Sequence, residues 1–438
     1  MEVGAGGAAT PATTDAASGS VSGAARRPGS WGVLASYVAL VAASHVLWIS
    51  FASVTGRAAH AFHTTDVSIG LLVSVGPLCS AALSIPAGLV ADRLGYRTPL
   101  LWAGLATSAF AFLRPAAGGF PLLLVLTVGL LLPQPFLINA VADVVNRHFP
   151  EEEAATATGL GTMAIFLGIT LGLIVTPGLV PVVGVRGTQL VYAGVSLVAL
   201  AVFWRVTPSP VPERLVAPEE LSIRAALRRV LRSRTQWKLS GALFLGFGFY
   251  LGITTWLEEI LKPRGIGETG AGLVAGMITI AGMVGSVVLG AASDRIRRRK
   301  PFLVLAGVVA APTLWLLGHL GSLGALLPVA FVMGFFLLAA LPVAIAVASE
   351  DPTLGPQVGS TAVGVILLAG NLGGAVVVAL VGALKGAGGD FSTAVAVITA
   401  LAVVFVGITL TIPDPLRPGD QVEQHPGLAT PGPGPGPG

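Results

Sequence analysis

Apolar segments of about 18–25 residues follow one another along almost the whole of this 438-residue chain, and they constrain its fold more than any other feature. A helix of that length crosses the hydrocarbon core of a bilayer. Only 11% of the residues are charged, against about 25% in soluble proteins, so too little polar surface exists for a water-soluble body of this size. The segments predict twelve transmembrane helices at approximately 31–54, 67–91, 98–116, 120–145, 155–180, 187–206, 237–260, 268–292, 301–319, 325–348, 357–383 and 391–412.

The stretches between and around these segments divide the chain into five parts. Residues 1–28 lack an apolar run and a cleavage site, so we expect a disordered tail rather than a signal peptide. Residues 414–438 end in repeated Pro-Gly and are expected to be disordered as well. Between the tails the sequence predicts one six-helix bundle at 29–206, a cytoplasmic linker at 207–236 and a second six-helix bundle at 237–413.

The linker carries an amphipathic pattern. Over 219–234 apolar residues recur at helical spacing, with arginines on the opposite face. This pattern fits an interfacial helix that lies on an anionic leaflet, and it fits a solvated linker helix equally well.

The basic residues predict the orientation in the membrane. Nineteen Lys and Arg residues fall on the side of the two termini, and six fall on the other side: Arg57, Arg114, Arg186, Lys262, Arg264 and Lys385. Because cytoplasmic loops are enriched in Lys and Arg, we expect a multi-pass protein of the cell membrane with both termini in the cytoplasm. The net charge of +4 therefore reflects topology and does not indicate a nucleic-acid partner.

One loop sequence occurs twice. GLVADRLGYR at 88–97 and GAASDRIRRR at 290–299 lie 202 residues apart and occupy the same place in the two halves. A second correspondence, at an offset of 205, relates 156–168 to 361–373. The sequence thus predicts an all-α integral membrane protein of two pseudo-symmetric six-helix bundles, in which one half can rock against the other around a central site.

The doubled loop predicts a cytoplasmic gate. Its glycines let helices touch, its aspartates can cap helix ends, and its arginines need carboxylate partners, for which Asp143 and Glu350 are at suitable depth. Such a charge cluster would form when the inner side closes and separate when it opens. The predicted gate residues are Gly88, Asp92, Arg93, Gly95, Arg97, Asp143, Gly290, Asp294, Arg295 and Glu350.

The first loop matches the G-x-x-x-D-R-x-G-x-[RK] signature at every position, so the chain resembles the major facilitator superfamily of transporters. The second copy departs from it at Arg297, where the signature has glycine. The resemblance implies a secondary active or facilitative transporter that moves a small organic solute by alternating access, as a monomer. Co-transport of H⁺ or Na⁺ stays open.

Two other classes of function are less consistent with the residues. A membrane enzyme needs clustered catalytic or metal-binding groups, whereas the six histidines are scattered, so we expect no enzyme activity, metal or cofactor. A signalling receptor would be expected to carry an added soluble domain.

Within transport, the alternative is a proton-coupled efflux pump for drugs or natural products. The fourth helix, however, has no arginine, and the fifth, Gly168 to Pro177, lacks the G-P-x-x-G-G run typical of those exporters.

Three stretches resemble a narrower branch, the heme and choline transporters related to the feline leukaemia virus subgroup C receptor. They are WISF at 48–51, GFYLGITT at 248–255 and AGMVGS at 281–286. The resemblance implies that Trp48 and Tyr250 line the central cavity, where their faces would suit a quaternary ammonium group. The branch has glutamines where this chain has Phe166 and Asn371, and the replacement of an amide by Phe166 implies a bulkier or more apolar ligand.

Polar residues at membrane depth complete the candidate site. His45 lies one turn before Trp48 and is either a proton-coupling or ligand-binding group or a neutral structural histidine. Gln134 and Asn139 flank a proline pair in mid-helix, which predicts cavity lining. The predicted substrate-binding residues are therefore His45, Trp48, Gln134, Asn139, Phe166, Tyr250 and Asn371.

Three further side chains are expected at the outer end of the seventh helix. Glu258 and Glu259 form either a solvated ion pair at the rim or an outer gate, and Trp256 fits an interfacial anchor.

Overall fold

A computed structural model describes residues 30–94, 96–149, 151–207, 223–296, 298–349, 351, 354, 358–386 and 390–414. The predicted tails, apart from Asp414, and residues 208–222 of the predicted linker lie outside these ranges. Below, the N-terminal half means residues 30–207 and the C-terminal half means residues 223–414.

The described chain is helical in both halves. The N-terminal half contains α1 (Ser30–Ile49), α2 (Thr55–Ala61), α3 (Asp66–Leu94), α4 (Arg97–Leu113), α5 (Phe120–Leu131), α6 (Gln134–Asn139), α7 (Val141–His148) and α8 (Glu151–Val206). The C-terminal half contains α9 (Ile223–Val230), α10 (Arg234–Leu261), α11 (Glu268–Ile296), α12 (Lys300–His319), α13 (Leu323–Leu337), α14 (Ala340–Ser349), α15 (Gly359–Ala383) and α16 (Ser392–Thr411).

Within the described ranges, ten helical stretches are long and apolar enough to cross a bilayer, not the predicted twelve. The difference arises at two places. The stretch Ala157–Val206 has 50 residues and covers the predicted fifth and sixth helices, and Gly184 interrupts it at φ 72° and ψ 169°. A side chain rarely adopts that backbone conformation, so glycine permits the break. The predicted third helix corresponds to α4, which has 17 residues.

Several predicted helices are broken near their middle or their ends. The first predicted helix, 31–54, ends early, because α1 stops at Ile49 and a short α2 begins at Thr55. The predicted fourth helix, 120–145, is divided at Pro133 into α5 and α6. Proline lacks the N–H that would continue the helical hydrogen-bond pattern, and its ring crowds the preceding turn.

The repeat found in the sequence recurs in how the helices pack. A Cβ atom added to Gly168 of α8 would collide with the carbonyl oxygen of Ala42 on α1. A Cβ atom added to Gly373 of α15 would collide in the same way with the carbonyl oxygen of Phe244 on α10. The glycines are 205 residues apart and their partners 202, the same two offsets as in the sequence. Close backbone approach therefore occurs at equivalent points in the two halves.

Two helix pairs make the most extensive contacts between the two halves. On α3 and α15, the Ser74 hydroxyl donates to the Ala375 carbonyl at 3.2 Å. On α8 and α11, Gly272 lies against Leu173 and Pro177. Both contacts lie in the parts of α3 and α11 that precede the doubled loop by several turns, so the halves meet at the end of the molecule opposite to that loop.

Candidate substrate site and gates

Trp48 of α1 and Tyr250 of α10 occupy equivalent positions in the two halves. They are 202 residues apart, the same separation as Gly88 and Gly290 of the doubled loop. Trp48 is 6% exposed, Tyr250 is 0% exposed, and both belong to one buried apolar cluster that includes residues of both halves. The structure thus places both predicted cavity aromatics in the interior, and both rings are covered by protein in this conformation.

Trp48 is held by α3. Its indole N–H donates to the Val73 carbonyl at 2.8 Å. Its ring lies directly on Gly76, where an added Cβ would be 2.6 Å from the indole nitrogen. His45 packs edge-on against the Trp48 ring with centroids 5.8 Å apart. Any residue larger than glycine at position 76 would displace the indole, so α3 sets its position.

Tyr250 is held by the corresponding neighbour in the C-terminal half. Its hydroxyl hydrogen-bonds the Thr279 hydroxyl of α11 at 3.0 Å, and the Phe247 ring lies 5.9 Å away. Phe247 and Tyr250 stand 202 residues after His45 and Trp48. Each half therefore presents two aromatic rings, one helical turn apart, on its first long helix.

His45 is buried and contacts its own helix. Its Nδ1 lies 2.8 Å from the Val41 carbonyl and 3.2 Å from the Ser44 hydroxyl. Because a carbonyl oxygen only accepts, Nδ1 carries the proton, and Nε2 is the nitrogen free to bind a further proton in the neutral ring. This local contact is typical of a structural histidine, and it leaves Nε2 as the atom through which the coupling role would operate.

The remaining predicted site residues differ in their surroundings. Gln134 is 2% exposed, and its Nε2 has no hydrogen-bond partner, which makes it a buried donor available to a ligand. The Asn371 amide donates to the Leu367 carbonyl of its own helix at 2.9 Å. Asn139 is half-buried and engaged in a polar contact. Phe166 is half-buried against the apolar cluster that contains Trp48 and Tyr250.

The predicted cytoplasmic gate is described only in part. Gly88, Asp92 and Arg93 lie in the last turns of α3, and Gly290, Asp294 and Arg295 lie in the last turns of α11. Gly95 and Glu350 are outside the described residues, so the proposed partner of the second loop copy is not seen. Arg295 is exposed.

Arg97 makes contacts that differ from the predicted carboxylate pairing. Its Nε donates to the Thr207 carbonyl at 3.1 Å and its guanidinium reaches the Trp204 carbonyl at 3.4 Å. A cation there satisfies carbonyl groups at the C-terminal end of α8 and complements the helix dipole. Arg97 therefore links the doubled loop to α8 within the N-terminal half.

Tyr96, which the sequence gave no reason to select, connects the first loop copy to α7. Its hydroxyl lies 2.6 Å from Nε2 of His148, and both side chains are buried. Burial raises the pKa of the Tyr96 phenol to about 12, while Arg147 and Arg97 oppose the rise and the nearby Asp143 carboxylate adds to it. Asp143 thus lies close to the loop with which it was predicted to pair.

A charge cluster joins the halves at the opposite end. Arg57 of α2 pairs with Glu268 of α11 at 2.9 Å, and Asp66 of α3 pairs with Lys385 at 3.1 Å. A surface pocket of about 460 Å³ opens beside the first pair and is lined also by His60, Lys262 and Gly184. We call the two ion pairs, Arg57–Glu268 and Asp66–Lys385, the outer ion pairs.

The two glutamates predicted for this end are not solvated. Glu258 is 3% exposed and Glu259 is 7% exposed, so the expected solvation is wrong, whereas the expected ion pair is present at Glu259. Glu259 lies 3.5 Å from Lys262 and 3.6 Å from Lys385. Packing of the two halves against each other covers these carboxylates, which helix-end position alone does not reveal.

Trp256 is not an interfacial anchor, because it is fully buried. Its indole N–H donates to the Val378 carbonyl of α15 at 2.9 Å. The ring fills the space over Gly382 of α15 and over Gly70 of α3, where an added Cβ would collide with it. Trp256 is therefore a wedge between one helix of each half.

Arg114 is not a loop cation on the outer side, as the count of basic residues assumed. It is 0% exposed, donates to the Leu47 carbonyl at 2.9 Å, and hydrogen-bonds the side-chain oxygen of Gln189. Its guanidinium lies 4.7 Å from the centre of the Phe51 ring. The three-residue 3₁₀ turn that follows α4 carries it inward, against the end of α1.

The comparisons with known proteins show the family and the fold of this chain. A family model described as Major Facilitator Superfamily matches residues 33–378 and again 257–431. The choline/ethanolamine transporter flvcr2b of Danio rerio is 25% identical over 331 residues, covering 69% of this chain and 67% of that protein. Solute carrier family 49 member A3 of Danio rerio is 25% identical over 282 residues, covering 61% of this chain and 60% of that protein. The chain thus spans roughly two thirds or less of the length of these curated relatives.

A solved structure has the same fold. It is a bacterial homolog of the human lysosomal transporter Spinster, in an inward-facing and unoccupied conformation. Its TM-score is 0.73 at 16% identity, with 88% of this chain and 96% of that one covered.

Proposed function

This chain belongs to the major facilitator superfamily, and we propose that it carries a small organic cation with a substituted ammonium group across the cytoplasmic membrane. Family membership makes it a multi-pass membrane transporter with a small-molecule substrate, and not an enzyme. The relatives that transport choline and ethanolamine support the choice of an ammonium substrate. They give no support to the alternative of drug efflux.

The aromatic pair carries this proposal. Trp48 and Tyr250 stand at equivalent positions on the first long helix of each half and share one buried cluster. Their π faces attract a quaternary ammonium group, and this attraction is stronger where water is excluded. A site between them would be built from one aromatic of each half, so that binding depends on how the halves are arranged.

The size of the substrate is proposed from Phe166 and the amides. Phe166 adds an apolar half-buried ring, while Gln134 offers a buried N–H donor without a partner. Leaving such a donor unpaired costs about 1–3 kcal/mol, which a hydroxyl or carbonyl group of the substrate would offset. We therefore expect a cation that is bulkier or more apolar than choline and that carries one acceptor group.

The transport cycle is proposed to be alternating access by twelve helices in two bundles. The ten stretches become twelve if α8 is counted as two helices divided at Gly184 and the 17-residue α4 is counted as well. The outer ion pairs and the Trp256 wedge join the halves at the end opposite to the doubled loop. In this conformation the outer path is closed, and Asp92, Arg93 and Asp143 would form the inner gate when the cycle reverses.

The orientation is proposed from the basic residues. With Arg114 buried, five of the six basic residues predicted for the outer side still count toward that side, so the excess of Lys and Arg on the side of the termini becomes larger. That excess favours cytoplasmic termini.

The test is uptake into proteoliposomes. Purified protein is screened against a panel of quaternary and tertiary ammonium compounds of increasing size, with and without a pH or Na⁺ gradient. We expect Trp48→Ala and Tyr250→Ala each to abolish uptake of the preferred compound, and Trp48→Phe and Tyr250→Phe to retain part of it, because the π face is kept.

A matched control is available in Trp315, an aromatic residue of α12 whose side chain is on the surface of the protein and 45% exposed. Trp315→Ala is expected to leave uptake unchanged. The proposal fails if Trp48→Ala and Tyr250→Ala both transport with the kinetics of the unmodified protein, or if no ammonium compound is taken up while a neutral or anionic solute is.

A further inference from the structure

Three apolar side chains are exposed where the linker meets the membrane domain. Leu227 of α9 is 37% exposed, Leu231 is 43% exposed and Trp237 of α10 is 60% exposed. The Trp237 indole N–H donates to the Leu231 carbonyl at 2.9 Å, which ties the end of α9 to the start of α10. We call Leu227, Leu231 and Trp237 the linker patch.

The linker patch continues the surface that faces lipid. Trp237 lies in the first turn of Arg234–Leu261, a helix apolar enough to cross the bilayer. Tryptophan at that position is typical of the boundary between headgroups and acyl chains. Because Trp237 is hydrogen-bonded to Leu231, which directly follows α9, the end of α9 lies at the same depth in the membrane as Trp237.

The faces of α9 follow a defined order. Val230 is fully buried and docks the helix on the protein. Leu227 and Leu231 are one turn apart and lie beside it, and Arg228 and Arg232 follow as a second exposed stripe further around the axis. Among the described residues, neither arginine has a carboxylate partner.

We propose that the linker patch and the Arg228–Arg232 stripe bind anionic phospholipid headgroups of the leaflet on the side of the doubled loop. Leu227, Leu231 and Trp237 would enter the boundary between headgroups and acyl chains, and the two guanidinium groups would bind the phosphates above them. This is the arrangement of an interfacial amphipathic helix, in which buried apolar area and attraction to anionic lipid act together. Arginine suits it, because its planar fork matches a phosphate in two hydrogen bonds.

Binding of anionic lipid by α9 does not depend on the substrate, and it would distinguish an interfacial helix from a solvated linker helix. A solvated linker helix would leave the linker patch in water, although it joins a lipid-facing surface directly. A helix held by anionic lipid explains why the apolar and basic stripes lie side by side. The segment that connects the two halves would then be anchored to the leaflet.

The experiment uses the full chain with one label. Cys79 is the only cysteine and is buried, so Cys79→Ser with Leu231→Cys gives a single reactive site at an exposed position. The site carries an environment-sensitive fluorophore, and the protein is reconstituted in phosphatidylcholine vesicles with increasing phosphatidylglycerol. We expect quenching by lipids brominated near the headgroup to rise with phosphatidylglycerol and to fall with added salt.

Removal of the basic stripe tests the charge contribution. Arg228→Gln together with Arg232→Gln is expected to raise the phosphatidylglycerol fraction needed for half-maximal quenching severalfold, or to keep quenching below half-maximal up to pure phosphatidylglycerol, since each arginine near an anionic surface contributes separately. The control is Arg205→Gln with Arg298→Gln, which removes the same charge from two other exposed positions. The control is expected to leave the midpoint nearly unchanged.

Three results would overturn the proposal. Equal quenching in pure phosphatidylcholine would exclude anionic headgroups as the occupant. Quenching by aqueous iodide in every vesicle, with none by brominated lipid, would show a solvated helix. An equal shift in the control pair would show a general effect of charge. If Leu231→Cys does not fold, Leu227→Cys reports on the same face.

Discussion

Arg57 and Glu268 form an ion pair of 2.9 Å that joins α2 of the N-terminal half to α11 of the C-terminal half. The Arg57 side chain is 48% exposed and that of Glu268 is 16% exposed. An ion pair that is this exposed to water stabilises the contact between its two helices by about 0.2–1 kcal/mol. The outer ion pairs therefore bias the halves toward closure at this end, while the buried contacts beneath them supply most of the attraction.

Reversal of one charge should open this end. In Arg57→Glu the new carboxylate faces Glu268, so we expect spin labels placed on the outer ends of the two halves to move apart in part of the population. Arg57→Glu with Glu268→Arg should restore the closed distance, because the pair is rebuilt in reverse. Double electron–electron resonance measures both distributions.

Arg186→Glu is the matched control for that experiment. Arg186 donates to the Ala61 and Ala117 carbonyls, both in its own half, so the same change of charge crosses no boundary between the halves. If the doubly reversed variant stays as open as Arg57→Glu alone, the pairing does not hold the halves together.

Closure of the outer end should depend more on the fit of Trp256 against Gly70 than on the outer ion pairs. Gly70→Val places a side chain where the indole lies, so closure at this end requires the two helices to separate. We expect a shift toward the open distance and reduced uptake. Trp256→Ala combined with Gly70→Val should recover closure, since the space is refilled. Gly118→Val, at a glycine with no atom within 4 Å of an added Cβ, should behave like the unmodified protein.

Much of the fold follows from local pattern. Apolar length was sufficient to predict nearly all of the spans, because it depends on composition along single helices. The offset of 205 related Gly168 to Gly373 in the sequence, whereas their contacts with neighbouring helices became evident only from the structure. The count differed at α8, because the helix continues across the gap predicted at 181–186 and is interrupted there only by the backbone conformation of Gly184.

Burial of charge was not predictable in the same way. Arg114 and Glu258 both sit near the ends of apolar segments, where charged residues usually meet water. Arg114 is buried because a turn folds it under α1, and Glu258 because the other half packs over it. Both causes are tertiary, so neither leaves a mark in the neighbouring sequence. Trp48 and Tyr250 were located through a resemblance, and their equivalence became evident from the repeat.

The glycine contacts between α8 and α1 and between α15 and α10 should respond alike to substitution. Gly168→Val and Gly373→Val would each push a side chain into a backbone carbonyl, which cannot rotate away. We expect each to lower the free energy of unfolding by about 1–3 kcal/mol, the usual range for overpacking. Unfolding in a titration of denaturing detergent measures the loss.

The repeat also provides the control. Gly159 and Gly364 are related by the same offset of 205, and an added Cβ would have no atom within 4 Å at either. Gly159→Ala and Gly364→Ala are expected to be neutral or to stabilise, because alanine favours a helix over glycine by up to about 1 kcal/mol. If all four variants lose the same free energy of unfolding, close backbone approach at Gly168 and Gly373 is not the cause of the loss.

Arg114 should be the most sensitive basic residue in the described part of the chain. Within the described ranges, its Nε and Nη1 have no hydrogen-bond partner and no carboxylate forms an ion pair with it. Arg114→Gln would remove the charged donor from the Leu47 carbonyl and the Gln189 oxygen and leave both with the Ser50 hydroxyl, so we expect a loss of about 1–3 kcal/mol of unfolding free energy. Arg114→Lys should recover little, because a single ammonium group does not reproduce the planar fork.

Gln189→Glu tests the same arrangement from the other side. A carboxylate in place of the Gln189 oxygen would give the buried guanidinium a counter-charge in direct contact. We therefore expect Gln189→Glu to raise the stability of the protein, and Arg114→Gln with Gln189→Glu to be the least stable variant, since it buries a carboxylate without its partner. If Gln189→Glu destabilises as much with Arg114 present as with Arg114 replaced, the guanidinium at this position does not lack a counter-charge.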